Sequence, residues 1–393
     1  MIDSLTEQKA PRFRWQLAAI TLARLFLNTG LRMVYPFAPA FARGLDVPVT
    51  AVYRLIAVRN VAGFFSPALG PLALRYGRKV MMMVSVLMFA LGCLLVVIWP
   101  AYWSLGAALA ILAFAKVIFD PAMQSYVGDA VPYQQRGKAL AVTEYAWSLA
   151  FIVGAPAVGL AIQAQGWSAP FFWLGVLSLA AVVLLWHVLP RRSRTNREGV
   201  GWHETVRVLR HYPVIWLAFV YITLAIGANE ILFIVYGDWM ETSFHLSLAS
   251  LGLASGVIGG SEILGETFAG WSVDRFGKRP IVISTAVLNG LLYILIPHTS
   301  SSLTAALITL FFLFLTFEIT LVGGMPLMTE LVPRARGVVM TMVLAAMSMG
   351  RLFGATIGPL IWLRGGFVWS GLASGLLMGT AVVILYFWIR EGE

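Results

Sequence analysis

The chain has 393 residues, of which 59% are hydrophobic and only 12% are charged, and its mean hydropathy is +0.83. A soluble domain carries about 25% charged residues, so this composition excludes an ordinary soluble enzyme and indicates a membrane protein. The net charge is +10, but the positive residues fall in short loops between apolar segments, a pattern of membrane topology rather than of nucleic-acid binding. A single cysteine, Cys93, excludes an intramolecular disulfide and a cysteine-based metal cluster.

Twelve segments are apolar over roughly 20 residues, the length that a transmembrane helix needs. We call them predicted spans 1 to 12. In chain order they cover residues 15–41, 51–72, 80–99, 102–128, 139–164, 167–189, 213–240, 248–271, 280–298, 302–328, 338–363 and 366–389.

A short basic turn occurs twice, 200 positions apart. The first copy reads Gly70-Pro-Leu-Ala-Leu-Arg-Tyr-Gly-Arg-Lys79, and the second reads Gly270-Trp-Ser-Val-Asp-Arg-Phe-Gly-Lys-Arg279. A repeat at about half the chain length predicts a duplicated half. We therefore predict an N-terminal six-helix half at residues 1–189, a cytoplasmic linker at residues 190–212 that holds a short surface helix, and a C-terminal six-helix half at residues 213–393.

Lysine and arginine are distributed unevenly between the two sides of the predicted spans. One side holds both basic turns and the arginine-rich linker, whereas the loops of the other side hold only Arg43, Arg54 and Arg364. Because positive residues favour the cytoplasmic side, both termini are expected to be cytoplasmic. The protein is then expected to be a multi-pass protein of the cell inner (cytoplasmic) membrane.

The two basic turns resemble the loop signature that follows helices 2 and 8 in the major facilitator superfamily. The resemblance implies an all-α membrane fold of 12 transmembrane helices in two six-helix pseudo-repeats, with helices 1, 4, 7 and 10 lining a central cavity. It also implies a cytoplasmic gate latched by an acid at the fifth position, which Asp274 provides and Leu74 does not. The implied gate residues are Gly70, Arg75, Gly77, Arg78, Gly270, Asp274, Arg275 and Gly277.

Ionisable residues are absent from the interiors of spans 3, 6, 9 and 12, which predicts that these spans face lipid, where a buried charge is costly. In span 1, Arg24, Asn28 and Arg32 recur every four residues and share one helix face, which we expect to line the substrate cavity; structural pairing is the alternative. Lys116 and Asp120 of span 4 are also four apart, so they can form an internal ion pair or serve substrate binding. Arg351 in span 11 is a further cavity candidate, and Trp147 is one of several aromatic residues expected to supply a cavity wall.

Buried acids are the candidates for proton coupling. Glu230 and Glu318 each lie about sixteen residues into their spans, and we expect them to be the proton-responsive pair, with Arg24, Lys116 and Arg351 as possible partners. Glu262 and Glu266 of span 8 are like charges one turn apart. Glu262 is a third coupling candidate, whereas Glu266 is placed near Arg275 and Lys278 as a gate residue.

No phosphate-binding loop, zinc-type histidine spacing or nucleophile elbow occurs in the sequence, so we expect a transporter and not an enzyme, with no cofactor and no metal. The resemblance is closest to the 12-helix drug:proton antiporters. It predicts a monomeric secondary transporter that works by alternating access and exports an amphiphilic small molecule in a proton-coupled step, with protons or another coupling ion, the substrate and membrane lipids as its partners. The alternatives are an importer or exchanger of organic anions or sugars, and a lipid or glycolipid flippase.

Overall fold

The computed structural model describes residues 10–69, 72–190 and 202–390. Almost all of these residues are helical and none of them lies in a β-strand, which confirms the all-α class. Away from its ends, a helix pairs its backbone N–H and C=O groups within one segment, as a chain surrounded by lipid requires. The α-helices are α1 Ala10–Arg32, α2 Val34–Gly44, α3 Val49–Arg59, α4 Ser66–Leu69, α5 Leu72–Tyr76, α6 Arg78–Ile98, α7 Tyr102–Ala130, α8 Tyr133–Leu149, α9 Ala155–Gln165, α10 Ala169–Val188, α11 Trp202–His211, α12 Val214–Phe233, α13 Tyr236–Phe244, α14 Leu248–Phe276, α15 Lys278–Leu295, α16 Leu303–Glu330 and α17 Arg336–Trp388.

Several of the predicted spans are broken or bent in the structure. Within the described residues, nine helical segments are long and apolar enough to cross a membrane, or ten if α1 and α2, which meet at an angle of 56°, form one span. Predicted span 2 falls outside that count because a 3₁₀ turn, Asn60–Phe65, separates α3 from α4. Predicted spans 11 and 12 together form α17, which breaks at Gly366, where φ is +66°. The total of twelve spans and the cytoplasmic termini stay predictions.

The two halves repeat the same contacts at the basic turns. Lys79 Nζ donates to the carbonyl oxygen of Trp186 at 2.6 Å and also to that of Leu189. Arg279 donates in the same way to the carbonyl oxygens of Tyr386 and Ile389, and each of these residues lies 200 positions after its counterpart. The repeated contacts support a duplicated half. The boundaries at residues 189, 190–212 and 213 stay a prediction.

The predicted linker contains the helix α11, while residues 191–201 lie outside the described residues. Val208 and Leu209 of α11 pack against the hydrophobic core, and the carbonyl oxygen of Leu209 accepts a hydrogen bond from Trp216 Nε1 at 3.2 Å. The short surface helix expected in the linker is therefore present, and it is tied to the start of α12.

The helices expected to face lipid carry large exposed apolar side chains. Leu91 of α6, Val183 of α10, Leu291 of α15 and Leu376 of α17 are each more than half exposed. Helices α6, α10 and α15 correspond to predicted spans 3, 6 and 9, and the part of α17 after Gly366 corresponds to span 12. Their exposure agrees with a peripheral position in the bundle.

The two halves touch closely at the end of the bundle opposite to the basic turns. Arg43 of α2 forms an ion pair with Glu241 of α13 at 2.6 Å. A Cβ added to Gly237 would lie 2.2 Å from the carbonyl oxygen of Pro36, and one added to Gly159 would lie 2.3 Å from that of Leu248. Because no side chain fits at either glycine without a shift of the backbone, α2 packs directly on α13, and α9 on α14.

Candidate functional site

Four charged residues of the first half form one ion-pair network. Arg24 of α1 lies between two acids: its Nε is 3.1 Å from Asp120 Oδ1, and its Nη1 is 2.9 Å from Glu144 Oε2. Lys116 Nζ is 2.7 Å from the other carboxylate oxygen of Asp120, and Arg24 Nη1 also donates to the carbonyl oxygen of Thr143 at 2.8 Å. Two cations and two anions therefore balance one another, and the side chain of Arg24 is only 5% exposed.

A second ion pair joins the two halves. Arg32 of α1 makes a two-pronged contact with Glu262 of α14, with Nη2 2.6 Å from Oε1 and Nη1 2.8 Å from Oε2. The two side chains are 2% and 4% exposed. Arg32 Nη1 also donates to the carbonyl oxygen of Trp147 at 2.7 Å, and the guanidinium carbon lies 4.2 Å and 3.7 Å from the ring centroids of Trp147 and Phe151. A charged pair this buried keeps its ionic form only through such added contacts.

Glu318 of α16 packs beside this pair. A Cβ added to Gly265 would lie 2.7 Å from the Cβ of Glu318, so the missing side chain lets Glu318 approach α14 between Glu262 and Glu266. Among the described residues no cation lies within 4 Å of the Glu318 or Glu266 carboxylates. The charged groups that act on Glu318 are Glu262, Glu266, Arg32 and Glu144.

Glu230 of α12 forms a separate contact across the halves. Its Oε1 accepts a hydrogen bond from the hydroxyl of Tyr35 at 2.9 Å, and the Tyr35 ring stacks on Phe233 with a centroid distance of 4.4 Å. Arg59 lies 5.2 Å from the Tyr35 ring centroid. Arg351 and Arg59 are the cations that act on Glu230, although neither forms an ion pair with it within 4 Å.

Asn28 lies between Arg24 and Arg32 on α1 and is fully buried. Neither atom of its amide group has a hydrogen-bond partner among the described residues. An unsatisfied buried amide is costly, so Asn28 is a polar group able to accept a partner in this part of the protein.

The sequence profile of the Major Facilitator Superfamily matches residues 20–237 and 219–393, which together include nearly the whole chain. The chain belongs to the major facilitator superfamily. Multidrug resistance protein 2 of Bacillus subtilis (strain 168) is 23% identical over 98% of this chain and 97% of its own length, and Multidrug resistance protein 1 of the same organism is 24% identical over 87% and 89%. This facilitator protein is therefore a membrane transporter.

Solved structures of other transporters share the fold. A bacterial homolog of the human lysosomal transporter Spinster, in an inward-facing and occupied conformation, aligns with a TM-score of 0.78 and 14% identity over 97% of both chains. The D-xylose–proton symporter aligns with a TM-score of 0.78 and 14% identity, over 96% of this chain and 98% of its own. At this identity the similarity concerns the fold alone.

The structure of this facilitator protein corrects the expected partners of the coupling acids. Arg24 and Lys116 were expected to face Glu230 or Glu318, but both bind Asp120 on their own side of the bundle. Lys116 precedes Asp120 by four residues on α7, and Arg24 reaches the same carboxylate from α1 through the packing of the two helices. Asp120, together with Glu144 beside Arg24, therefore balances both cations locally. Arg351 is the one expected partner that acts on Glu230.

The position expected for Glu266 also needs correction. Lys278 pairs with Glu330, and Arg275 lies over the rings of Trp271 and Phe276, so neither binds Glu266. The charged groups that act on Glu266 are instead Glu262, Glu144, Arg24 and Arg32. Glu266 therefore belongs with the buried acids.

The basic turns hold each half together in this structure. Arg78 pairs with Asp129 and Lys278 with Glu330, and each pair lies within one half. Gly77 and Gly277 have φ values of +92° and +87°, a region that favours glycine, and each begins the next helix. Asp274 is exposed and forms no ion pair among the described residues. Gly70 lies outside the described residues. The Arg75 guanidinium lies over the Tyr76 ring, and a Cβ added to Gly270 would meet no atom within 4 Å. The gate role of the turns therefore stays a prediction.

Sequence reasoning missed Gly265 and the role of the Trp147 carbonyl as acceptor for Arg32, and it assigned no partner to Tyr35 or Glu144. Glu144 carried a signal, because a second acid within a span of the same half needs a cation. Tyr35 and Gly265 gave no periodic signal, because their roles depend on which helix of the other half packs against them.

Proposed function

We propose that this transporter exports small amphiphilic compounds by exchange with protons. The observation that carries the proposal is the buried Arg32–Glu262 pair between the halves, with Glu318, which has no cation of its own, packed beside it. A charge buried without a partner is costly, so a proton on Glu318 is compatible with the closed, dry arrangement. Export is supported by the two relatives that are named multidrug resistance proteins.

We infer a coupling step from this geometry. Loss of the proton from Glu318 adds a second carboxylate charge beside Glu262, and both then compete for Arg32. Water must reach the site to stabilise the new charge, and water enters only when the halves separate. Proton release from Glu318 therefore accompanies separation of the halves. Because Glu318 binds a proton more tightly in the closed state than in the separated state, a change in its protonation shifts the balance between the two states. Glu230, held by Tyr35, is the second proton-responsive acid of the proposal.

The six-helix halves are proposed to rock against each other. The direct packing of α2 on α13 and of α9 on α14 closes the end opposite to the basic turns. In the predicted orientation, the halves therefore separate from this state at the cytoplasmic end. The opposite state requires these contacts to separate, with the turns at Gly77 and Gly277 approaching each other. Substrate reaches the site from the cytoplasm and leaves on the other side.

The test is transport in proteoliposomes with an imposed pH gradient. We expect Glu318→Gln and Glu230→Gln to abolish gradient-driven accumulation of a fluorescent amphiphilic probe. Asp46→Asn is the matched control, because Asp46 is an exposed loop residue with a positive φ that asparagine also adopts. If both glutamine variants still drive the probe uphill at the wild-type rate, the coupling assignment is wrong.

One observation favours a second candidate substrate class, an organic anion. Arg351 of α17 forms no ion pair within 4 Å among the described residues, so its charge is available to an acidic group. Arg351→Gln separates the two candidates: an anion transporter loses affinity for an anionic probe, whereas an exporter of neutral or cationic compounds keeps its affinity.

A further inference from the structure

The indole ring of Trp147 meets three cations from three helices. Its centroid lies 4.2 Å from the Arg32 guanidinium carbon, 5.6 Å from Lys116 Nζ and 5.7 Å from the Arg351 guanidinium carbon. Attraction between a cation and an aromatic face acts over this range and is strongest where water is excluded. Arg32 and Lys116 belong to the first half, whereas Arg351 belongs to the second.

The backbone of Trp147 takes part as well. Its carbonyl oxygen accepts a hydrogen bond from Arg32 Nη1 at 2.7 Å. Three residues later a π-helical turn, Ala150–Gly154, interrupts the helix and holds Phe151, whose ring lies 3.7 Å from Arg32. π-helical turns occur frequently at functional sites, because they change which side chains and carbonyls a helix presents. Trp147 thus holds Arg32 through its ring and its carbonyl, while Glu262 holds the same guanidinium from the other half.

The three cations differ in how firmly they are held. Arg32 has Glu262 and Lys116 has Asp120, each at 2.7 Å or less. Arg351 has no acid within 4 Å among the described residues; it lies over the Trp147 ring, and its charge acts on Glu230. Like charges around one ring repel each other, and Arg351 has the longest of the three distances and no paired carboxylate to offset this repulsion. The contact between Arg351 and Trp147 also crosses the halves, so movement of the halves changes it directly.

We propose that Trp147 is a positioning residue of the transport cycle, which holds Arg32 on Glu262 and senses the second half through Arg351. The proposal rests on the alternating-access function proposed above. When Arg351 withdraws, repulsion on Arg32 falls and Trp147 holds it more firmly. When Arg351 approaches, Arg32 is more easily released to a competing carboxylate. The ring therefore links the position of the second half to the strength of the ion pair that joins the halves.

The test uses spin labels at Ala164→Cys and Thr242→Cys, two exposed positions at the closed end, one in each half. Cys93 is fully buried and does not compete for the label. We expect Trp147→Leu to move the distance distribution in lipid nanodiscs towards longer distances and to slow probe exchange by about tenfold, the change expected for one lost desolvated cation–π contact. Trp147→Phe keeps an aromatic ring, so both the distance distribution and the rate of probe exchange should stay close to those of the wild type. Trp103→Leu, at a position 79% exposed, is the matched control and should change neither.

A second variant tests the proposal independently, in case Trp147→Leu does not fold. Arg351→Gln leaves the indole in place and removes the cation of the second half, so Arg32 is held more firmly and the distance distribution should move towards shorter distances, opposite to Trp147→Leu. An unchanged distribution in Arg351→Gln, or in a folded Trp147→Leu, overturns the proposal. The distances are measured without substrate and without a pH gradient, so a failure of proton coupling leaves this readout intact and the two proposals fail separately.

Discussion

Arg32 and Glu262 form a two-pronged ion pair that joins helices of the two halves, with Nη–Oε distances of 2.6 and 2.8 Å and almost no solvent exposure. Guanidinium and carboxylate planes match in this geometry, so the contact is specific as well as strong. The pair is one of the contacts that join the halves; the Trp147 ring lies against Arg32, and both members of the pair act on the Glu318 carboxylate.

Removing one member of this pair should destabilise the protein more than removing both. Arg32→Met or Glu262→Met leaves a buried charge without a partner, which costs about 3–5 kcal/mol, whereas the double substitution leaves none. We expect thermal unfolding in detergent to give the lowest midpoint for the single variants and a partly recovered midpoint for the double variant. The control is the more exposed pair Arg43–Glu241, whose side chains are 57% and 27% exposed, where the coupling energy between the two substitutions should be at most about 1 kcal/mol. Strictly additive effects at Arg32 and Glu262 contradict the prediction.

Much of the fold follows from the sequence, because duplication and apolar length are local signals. The copies of the basic turn at Gly70 and Gly270, and the spans free of charge, required only counting along the chain. The pair Lys116–Asp120 could be predicted from its four-residue spacing. The pair Arg32–Glu262 could not, because its members are 230 positions apart and meet only through the packing of the two halves.

The breaks in the helices also escaped prediction. The π-helical turn at Ala150–Gly154 and the 3₁₀ turn at Asn60–Phe65 lie in apolar segments whose composition is that of an ordinary span. Tertiary contacts decide their geometry: Phe151 packs under Arg32, and a Cβ on Gly63 would lie 2.1 Å from Ser348 Oγ. Propensity within one segment holds no information about such contacts.

Gly237→Ala should shift the protein away from the state closed at the end opposite to the basic turns. The added Cβ would lie 2.2 Å from the Pro36 carbonyl oxygen, and backbone cannot yield as a flexible side chain does. Gly260→Ala is the matched control, because an added Cβ there meets no atom within 4 Å. The check is the distance between spin labels at Ala164→Cys and Thr242→Cys, which should lengthen in Gly237→Ala only. Equal distances in the two variants would show that the glycine contact does not set the closed state.

The duplicated contacts of Lys79 and Arg279 should stabilise the two halves equally. Each side chain donates to two carbonyl oxygens at the end of the last long helix of its half, which leaves fewer helix-end acceptors unsatisfied. We expect Lys79→Met and Arg279→Met each to lower the free energy of unfolding by about 1 kcal/mol, since hydrogen bonds to charged groups contribute about 1.5–3 kcal/mol and these are partly exposed. Arg390→Met, at an exposed position, is the control in the same thermal-unfolding assay. If only one of the two variants loses stability, Lys79 and Arg279 do not have equivalent roles.

Tyr35→Phe should reduce transport while it leaves the packing of the ring intact. The substitution removes the 2.9 Å hydrogen bond to Glu230 and keeps the stacking on Phe233, so Glu230 loses the donor that orients its carboxylate across the halves. We expect gradient-driven exchange to fall by about fivefold to tenfold, equivalent to about 1–1.4 kcal/mol for one lost hydrogen bond. Tyr236→Phe is the matched control: it is the same substitution at a fully buried tyrosine whose hydroxyl has only a 3.4 Å contact with Ser255, and exchange should stay near the wild-type rate. If Tyr35→Phe exchanges as fast as Tyr236→Phe, the hydroxyl of Tyr35 has no role in positioning Glu230, and Glu318 is left as the acid on which coupling depends.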